Sequence, residues 1–116
     1  LNDADGLVIA QPEYNHSIPA VLKNAIDWLS RYRPSPLKNK HAYLLSASPG
    51  AVGGNRGLWA LRRPLEVCGV HVFTSMYSLS DAKNAFDDNG LVDPTRRARL
   101  EGDLQAFIEF ADARTP

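Results

Sequence analysis

Along this chain, apolar residues fall into short unbroken runs that alternate with longer segments in which they recur every three or four positions. An unbroken run marks a strand covered on both faces, whereas the three-to-four spacing marks one face of a helix. The first run, Gly6-Leu7-Val8-Ile9-Ala10, predicts a strand at about 6–11. Ile18, Leu22, Ala25, Ile26 and Leu29 then give the spacing of a helix at about 19–31, with Pro19 in its first turn, where no amide hydrogen is needed. Arg33-Pro34-Ser35-Pro36 closes that helix, because the residue before each proline resists helical geometry. His41-Ala42-Tyr43-Leu44-Leu45-Ser46-Ala47 predicts a second strand, and Leu58, Leu61, Leu65 and Cys68 fall on one face of a helix at about 54–68. Pro64 lies inside that segment and removes one backbone hydrogen bond, so a kink or a division into two pieces is expected.

Val70-His71-Val72-Phe73-Thr74-Ser75 predicts the third strand. The segment from Ser80 to Asp93 is polar, and its Asn89-Gly90 pair favours a tight turn. Asp93 caps a last helix beginning at Pro94, with Leu100, Leu104, Phe107, Ile108 and Ala111 as its apolar stripe. Strand followed by helix, three times over, implies an α/β domain with a parallel sheet and right-handed crossovers. No internal repeat or low-complexity tract is present.

Composition narrows the function classes. A chain of 116 residues, 44% apolar and 22% charged, allows one ordinary globular domain, 1–116. Thirteen basic and thirteen acidic residues cancel, so no net field draws the chain to nucleic acid or an anionic membrane. No apolar stretch approaches the roughly 20 residues of a membrane span, and no basic-then-apolar leader opens the chain. The single cysteine, Cys68, excludes an internal disulfide and suits a reducing cytoplasm; a core thiol is the expectation for it.

Candidate chemistry concentrates in two loops. Pro12-Glu13-Tyr14-Asn15-His16-Ser17-Ile18-Pro19 follows the first strand, and Ser48-Pro49-Gly50-Ala51-Val52-Gly53-Gly54 follows the second. Open α/β sheets bind ligands beyond the carboxyl ends of their strands, where both loops fall. Glu13 has a second reading beside ligand contact, namely stabilisation near a helix start by the dipole, and Asn15 has a second reading as a turn residue. His16 reads as a solvent-facing loop residue, and His41 and His71 as structural. Trp28 and Trp59 read as core or subunit-contact aromatics. Arg62-Arg63 and Arg96-Arg97-x-Arg99 could meet a phosphate, but arginines on helices are usually a solvated face. The Asp87-Asp88-Asn89-Gly90 cluster fails as a calcium loop, since Ala85 and Arg96 would occupy its first and twelfth positions. Asn15-His16-Ser17 matches a glycosylation sequon, which nothing indicating secretion supports. No nucleophile elbow or Gly-x-x-x-x-Gly-Lys loop occurs, and metal and hydrolase chemistry are weak readings.

Pro12-Glu13-Tyr14-Asn15-x-Ser17-Ile18-Pro19 followed by Leu22-Lys23-Asn24-Ala25-Ile26-Asp27-Trp28, then Gly50-x-x-Gly53-Gly54-x-Arg56, resembles the NADPH-dependent FMN reductase family, flavodoxin-like quinone, azo-dye and chromate reductases. The likeness covers essentially the whole chain. It implies a doubly wound sheet of which this chain is the C-terminal portion, three strands with flanking helices. Members open with a strand and a Ser/Arg/Asn-rich loop that holds the FMN phosphate, and this chain resembles the part that follows, an N-terminally incomplete domain. By resemblance, Pro12, Glu13, Tyr14, Asn15 and Ser17 would line one side of the flavin, and Ser48, Gly50, Gly53 and Gly54 the other rim, the glycines admitting close backbone approach. The implied cofactors are FMN and NADPH or NADH, with hydride passing through the flavin to a small-molecule electron acceptor. Arg56 resembles a position near a dimer contact, where an acidic residue would pair with it, and a homodimer or homotetramer is expected. With the 2-1-3-4-5 strand order of flavodoxin-like sheets, the edge of the first strand would be bare. The chain alone is then expected to self-associate or to need its missing half, and to bind FMN more weakly than an intact member. The competing class is a non-catalytic oligomerising fragment of the same fold that binds no flavin.

Overall fold

The computed structural model describes residues 1–113. The chain runs β1 (Gly6–Ala10), α1 (Ala20–Leu29), β2 (His41–Ala47), α2 (Asn55–Val67), β3 (His71–Val72), β4 (Tyr77–Leu79), a single 3-10 turn (Ala82–Asn84), β5 (Phe86–Asp87), β6 (Gly90–Leu91) and α3 (Pro94–Asp112). β2 is the central strand, with β1 parallel on one side and β3 and β4 parallel on the other. Leu7, Ile9, Ala42 and Leu44 form one sheet face and pack with Ile26 of α1 and Leu58, Leu61 and Leu65 of α2. Tyr43, Tyr77 and Leu79 form the other and pack with Phe107 of α3. The alternation of partners along each strand follows from the two-residue period of side-chain direction.

The strand predicted at 70–75 is interrupted. Between the pairs Ala42–Val72 and Leu45–Tyr77, β2 advances three residues while its neighbour advances five, so Phe73–Met76 bulges out of the ladder and Tyr77–Leu79 resumes it. Polar side chains explain the break. Ser75 leaves the ladder to donate its hydroxyl to Asp103 on α3 at 2.8 Å, and Arg62 donates to the Phe73 carbonyl at 3.1 Å. Tyr43 donates to the same Asp103 carboxylate at 3.1 Å. Burial, reinforced by the nearby Asp103 charge and hydrogen bond, pushes the Tyr43 phenol well above its ordinary pKa.

Other expectations also change. β1 is only partly covered on its second face: Val8 is 57% exposed. α3 meets β1 at Gly6, where the Phe107 ring lies 3.2 Å from the site of an added Cβ, and α3 does not cover Val8. The outer edge of β1 has no strand partner among the described residues. α2 is a single helix through Pro64, because the proline costs one hydrogen bond while buried Leu61 and Leu65 hold the turns on either side of it in the core. It ends in a Schellman motif, with Gly69 at φ 87° donating to the Glu66 carbonyl and Val70 to that of Leu65. Pro19 is the N-cap of α1 rather than a residue of its first turn. Trp28 and Trp59 are exposed, not core, and so is Ile108, whose place on the buried side of α3 is taken by Phe110 beside Phe107. Cys68 is half-buried at the margin of the core. The tight turn expected at Asn89-Gly90 falls one residue earlier, at Asp88-Asn89, and closes the β5–β6 hairpin, in which Asp87 pairs with Gly90.

Candidate functional site

The two candidate loops leave the carboxyl ends of neighbouring parallel strands, where Ala10 is in register with Leu45. The Gln11 amide continues the ladder by donating to the Leu45 carbonyl at 3.0 Å. Beyond it, Tyr14 and Ser17 exchange both backbone hydrogen bonds, at 3.1 and 3.0 Å, across a two-residue turn. Asn15 and His16 form its tip at φ 51° and 62°. Two consecutive positive φ angles define a type I′ turn, a geometry that asparagine tolerates better than other non-glycine residues. Asn15 therefore sits where its turn reading places it, and its exposed carboxamide stands at the tip. Because the Tyr14 and Ser17 amides are spent on each other, a ligand at this loop meets Pro12, the exposed Tyr14 ring and the turn tip.

Glu13 reaches across to the second loop. Its Oε1 accepts a hydrogen bond from the Gly57 amide, in the first turn of α2, at 2.6 Å. Glu13 is thus at a helix start, but the start of α2 rather than of the helix that follows it in sequence. His16 makes a second tie: Arg56 Nη1 lies 3.1 Å from His16 Nε2. A guanidinium only donates, so Nε2 is the acceptor. Arg56 is engaged within the chain, by a residue expected to face solvent rather than by an acidic partner.

The glycines of the second loop do different work from that expected. A Cβ on Gly53, at φ 60°, would lie 2.6 Å from the Leu79 carbonyl carbon, and one on Gly54, at φ 84°, would lie 2.9 Å from Ser46 Oγ. These glycines let the loop press onto β4 and β2, and the space beside them is filled by protein. The buried Ser46 hydroxyl fastens the loop by donating to the Gly53 carbonyl at 2.6 Å. Gly50 is different: a Cβ there would meet only Ser48 Oγ at 3.5 Å, so this part of the loop faces open space. Ser48 shapes it by accepting from the Gly50 amide at 3.1 Å. Pro12, Tyr14, Asn15, Ser17 and Gly50 are thus exposed and Ser48 is half-buried, whereas Gly53 and Gly54 are buried.

Gln11 and Gly57 were not among the residues singled out from the sequence. Gln11 is 4% exposed, and neither its carboxamide nitrogen nor its oxygen has a hydrogen-bond partner among the described residues. A Cβ on Gly57 would sit 3.0 Å from the Ser17 carbonyl, 3.1 Å from Glu13 Cβ and 3.2 Å from Gln11 Nε2. A glycine inside a predicted helix was the available signal, since it weakens the helix unless something packs closely there. On the α3 side of the sheet a cleft of about 490 Å³ adjoins the first loop, lined by Ala10, Pro12, Leu45, Tyr77, Leu79 and Leu100 among others. Among the described residues no group of histidine, cysteine and carboxylate side chains is placed to hold a metal.

A family model described as NADPH-dependent FMN reductase matches residues 1–85, which include both loops and the start of α2. The chain belongs to the NADPH-dependent FMN reductase family. It is 44% identical over 106 residues to an NAD(P)H-dependent FMN reductase of Pseudomonas aeruginosa, covering 90% of this chain and 57% of that protein. It is 38% identical over 113 residues to a quinone reductase of Escherichia coli, covering 95% and 60%. Among solved structures, FerB, a flavoenzyme NAD(P)H:(acceptor) oxidoreductase from Paracoccus denitrificans, superposes with a TM-score of 0.85 at 28% identity, covering 97% of this chain and 63% of that one. The likeness to FerB makes the fold flavodoxin-like. This member of the family spans about three-fifths of the length of the relatives it matches.

Proposed function

We propose that the chain forms the flavin-ring wall of an FMN-dependent NAD(P)H oxidoreductase whose electron acceptor is a quinone-, azo- or metal-oxyanion-type small molecule. The observation that carries this reading is the pair of loops at the carboxyl ends of β1 and β2, tied together by Glu13 and Gly57. An isoalloxazine ring is flat and rimmed with hydrogen-bonding atoms, so it needs two walls at a fixed spacing and a few polar groups along them. Exposed Pro12, Tyr14 and Asn15, with Ser17 closing their turn, supply one wall. Ser48 and Gly50 supply the opposite rim, where a Cβ on Gly50 would face open space, and Gly53 and Gly54 hold that rim against the sheet. When bound, FMN supplies the hydride chemistry, so the chain needs no acid–base pair of its own. The names of relatives that are quinone reductases favour a quinone among the acceptors.

Titrating FMN with the purified chain tests this. Saturable quenching of flavin fluorescence, weaker than in a full-length relative, is expected, together with NADPH or NADH oxidation that depends on added quinone. Absence of quenching at all accessible protein concentrations would refute it.

A second reading has its own support. Among the described residues the β1 edge lacks a strand partner, Val8 is 57% exposed, and Trp28 and Trp59 are 67% and 61% exposed on α1 and α2. These surfaces favour self-association, as a homodimer or homotetramer, with or without flavin. Light scattering together with the FMN titration would separate the two: an oligomer that stays colourless and leaves FMN fluorescence unquenched supports the non-catalytic reading. A cytoplasmic location fits the free thiol of Cys68, and no helix among the described residues is long and apolar enough to cross a membrane.

A further inference from the structure

We propose that Glu13 is a positioning residue: its carboxylate sets the spacing of the two loops through α2 instead of touching the flavin, a role that rests on the reading that these loops hold FMN. The 2.6 Å bond from the Gly57 amide to Glu13 Oε1 is charge-assisted and lies at the positive end of α2. Gly57 has no side chain of its own to hold the two segments apart. The position of a Cβ on Gly57 is hemmed in by Glu13 Cβ, the Ser17 carbonyl and Gln11 Nε2, at 3.0 to 3.2 Å. Glu13 Cβ also lies 3.6 Å from the position of a Cβ on Gly54, so the same side chain bears on the last residue of the second loop.

The far side of that loop is fixed independently, by Ser46 on the Gly53 carbonyl and by the Leu79 carbonyl on the Ser48 amide at 3.0 Å. The second loop is therefore anchored to β2 and β4, and Glu13 registers the first loop against it from the buried side, with the exposed His16–Arg56 contact as a second tie at the turn tip. A ring clamped between both loops loses affinity when their spacing shifts by about 1 Å, because its rim contacts no longer align.

The test compares Glu13→Ala with Glu13→Gln in the same chain. Glutamine keeps an oxygen that accepts from the Gly57 amide but carries no charge, whereas alanine removes the acceptor. Two readouts are taken: hydrogen exchange of the Gly57 amide without flavin, and the FMN dissociation constant by fluorescence. Alanine should speed Gly57 exchange and weaken FMN, each by about tenfold, the scale of one charge-assisted hydrogen bond. Glutamine should stay within about threefold of the wild type on both, and the buried Leu44 and Leu61 amides should exchange as in the wild type in both variants. Equal loss of FMN affinity in the two variants with Gly57 exchange unchanged would mean that the carboxylate contacts the flavin, and would overturn the proposal. So would unchanged Gly57 exchange in Glu13→Ala. A wild-type chain that binds no FMN would remove the flavin reading, and the exchange comparison would then decide the coupling alone.

Discussion

Gly57 and Gly102 are both glycines inside helices, and they should respond in opposite directions to the same added methyl. In an exposed helix interior, glycine to alanine is worth up to about 1 kcal/mol of stability, through propensity and a less flexible unfolded chain. Gly102 lies in α3 with nothing within 4 Å of an added Cβ, so Gly102→Ala should gain about 0.5–1 kcal/mol. Gly57 meets three atoms at 3.0–3.2 Å, one of them the Ser17 carbonyl, which belongs to the backbone of the Tyr14–Ser17 turn. That oxygen cannot retreat without disturbing the turn, and the overpacking costs about 1–3 kcal/mol. At the third position of α2 the propensity gain is a fraction of this, so Gly57→Ala should lose about 1–2 kcal/mol net. Urea unfolding followed by circular dichroism measures both variants against the wild type, and thermal midpoints should separate them by about 8 °C. If Gly57→Ala stabilises the chain as Gly102→Ala does, the tight packing of α2 on the first loop is wrong, and the argument for Glu13 weakens with it.

The raised Tyr43 phenol pKa gives a signed pH dependence: its neutral form stabilises the fold fully below about pH 10, where an unfolded tyrosine titrates, and that stability is lost as pH climbs above 10. Urea midpoints from pH 8 to 11 should fall more steeply for the wild type than for Tyr43→Phe; parallel curves would refute the burial argument. Asp93→Ala removes the oxygen that caps Thr95 and Arg96 at 2.8 and 3.4 Å, and should cost about 1 kcal/mol in thermal or urea unfolding while leaving the FMN titration unchanged. Gly53→Ala combines a 2.6 Å backbone clash with a positive φ, so it should cost at least about 2 kcal/mol and leave less soluble protein on expression.

The periodic signals read well where one face of an element is buried. The elements at 6–10, 41–47, 20–29 and 94–112 fall close to their predicted bounds because each buries at least one face of its apolar pattern, even where Val8, Trp28 and Ile108 stay exposed. It failed at Phe73–Met76, where the ladder breaks for side-chain contacts with residues far along the chain: Ser75 with Asp103, and Arg62 with Phe73. Nothing local in the sequence records such partners. Val8 failed for a related reason, since an unbroken apolar run cannot say whether a second layer lies above it. At the candidate site the two loops were legible from their proline and glycine content, but the division of labour within them was not. Gly50 and Gly53 are the same residue type in one loop; only three-dimensional neighbours show that one faces open space and the other β4.

The central position of β2 has a consequence for how the molecule comes apart. Every parallel ladder has β2 as one partner, and both hydrophobic layers are built on its two faces, Leu44 on one and Tyr43 on the other. Neither layer can persist without that strand, so no half of the sheet is left to serve as a stable intermediate. Unfolding should be all-or-none, with the calorimetric and van't Hoff enthalpies equal and the slowest-exchanging amides lying in His41–Ala47.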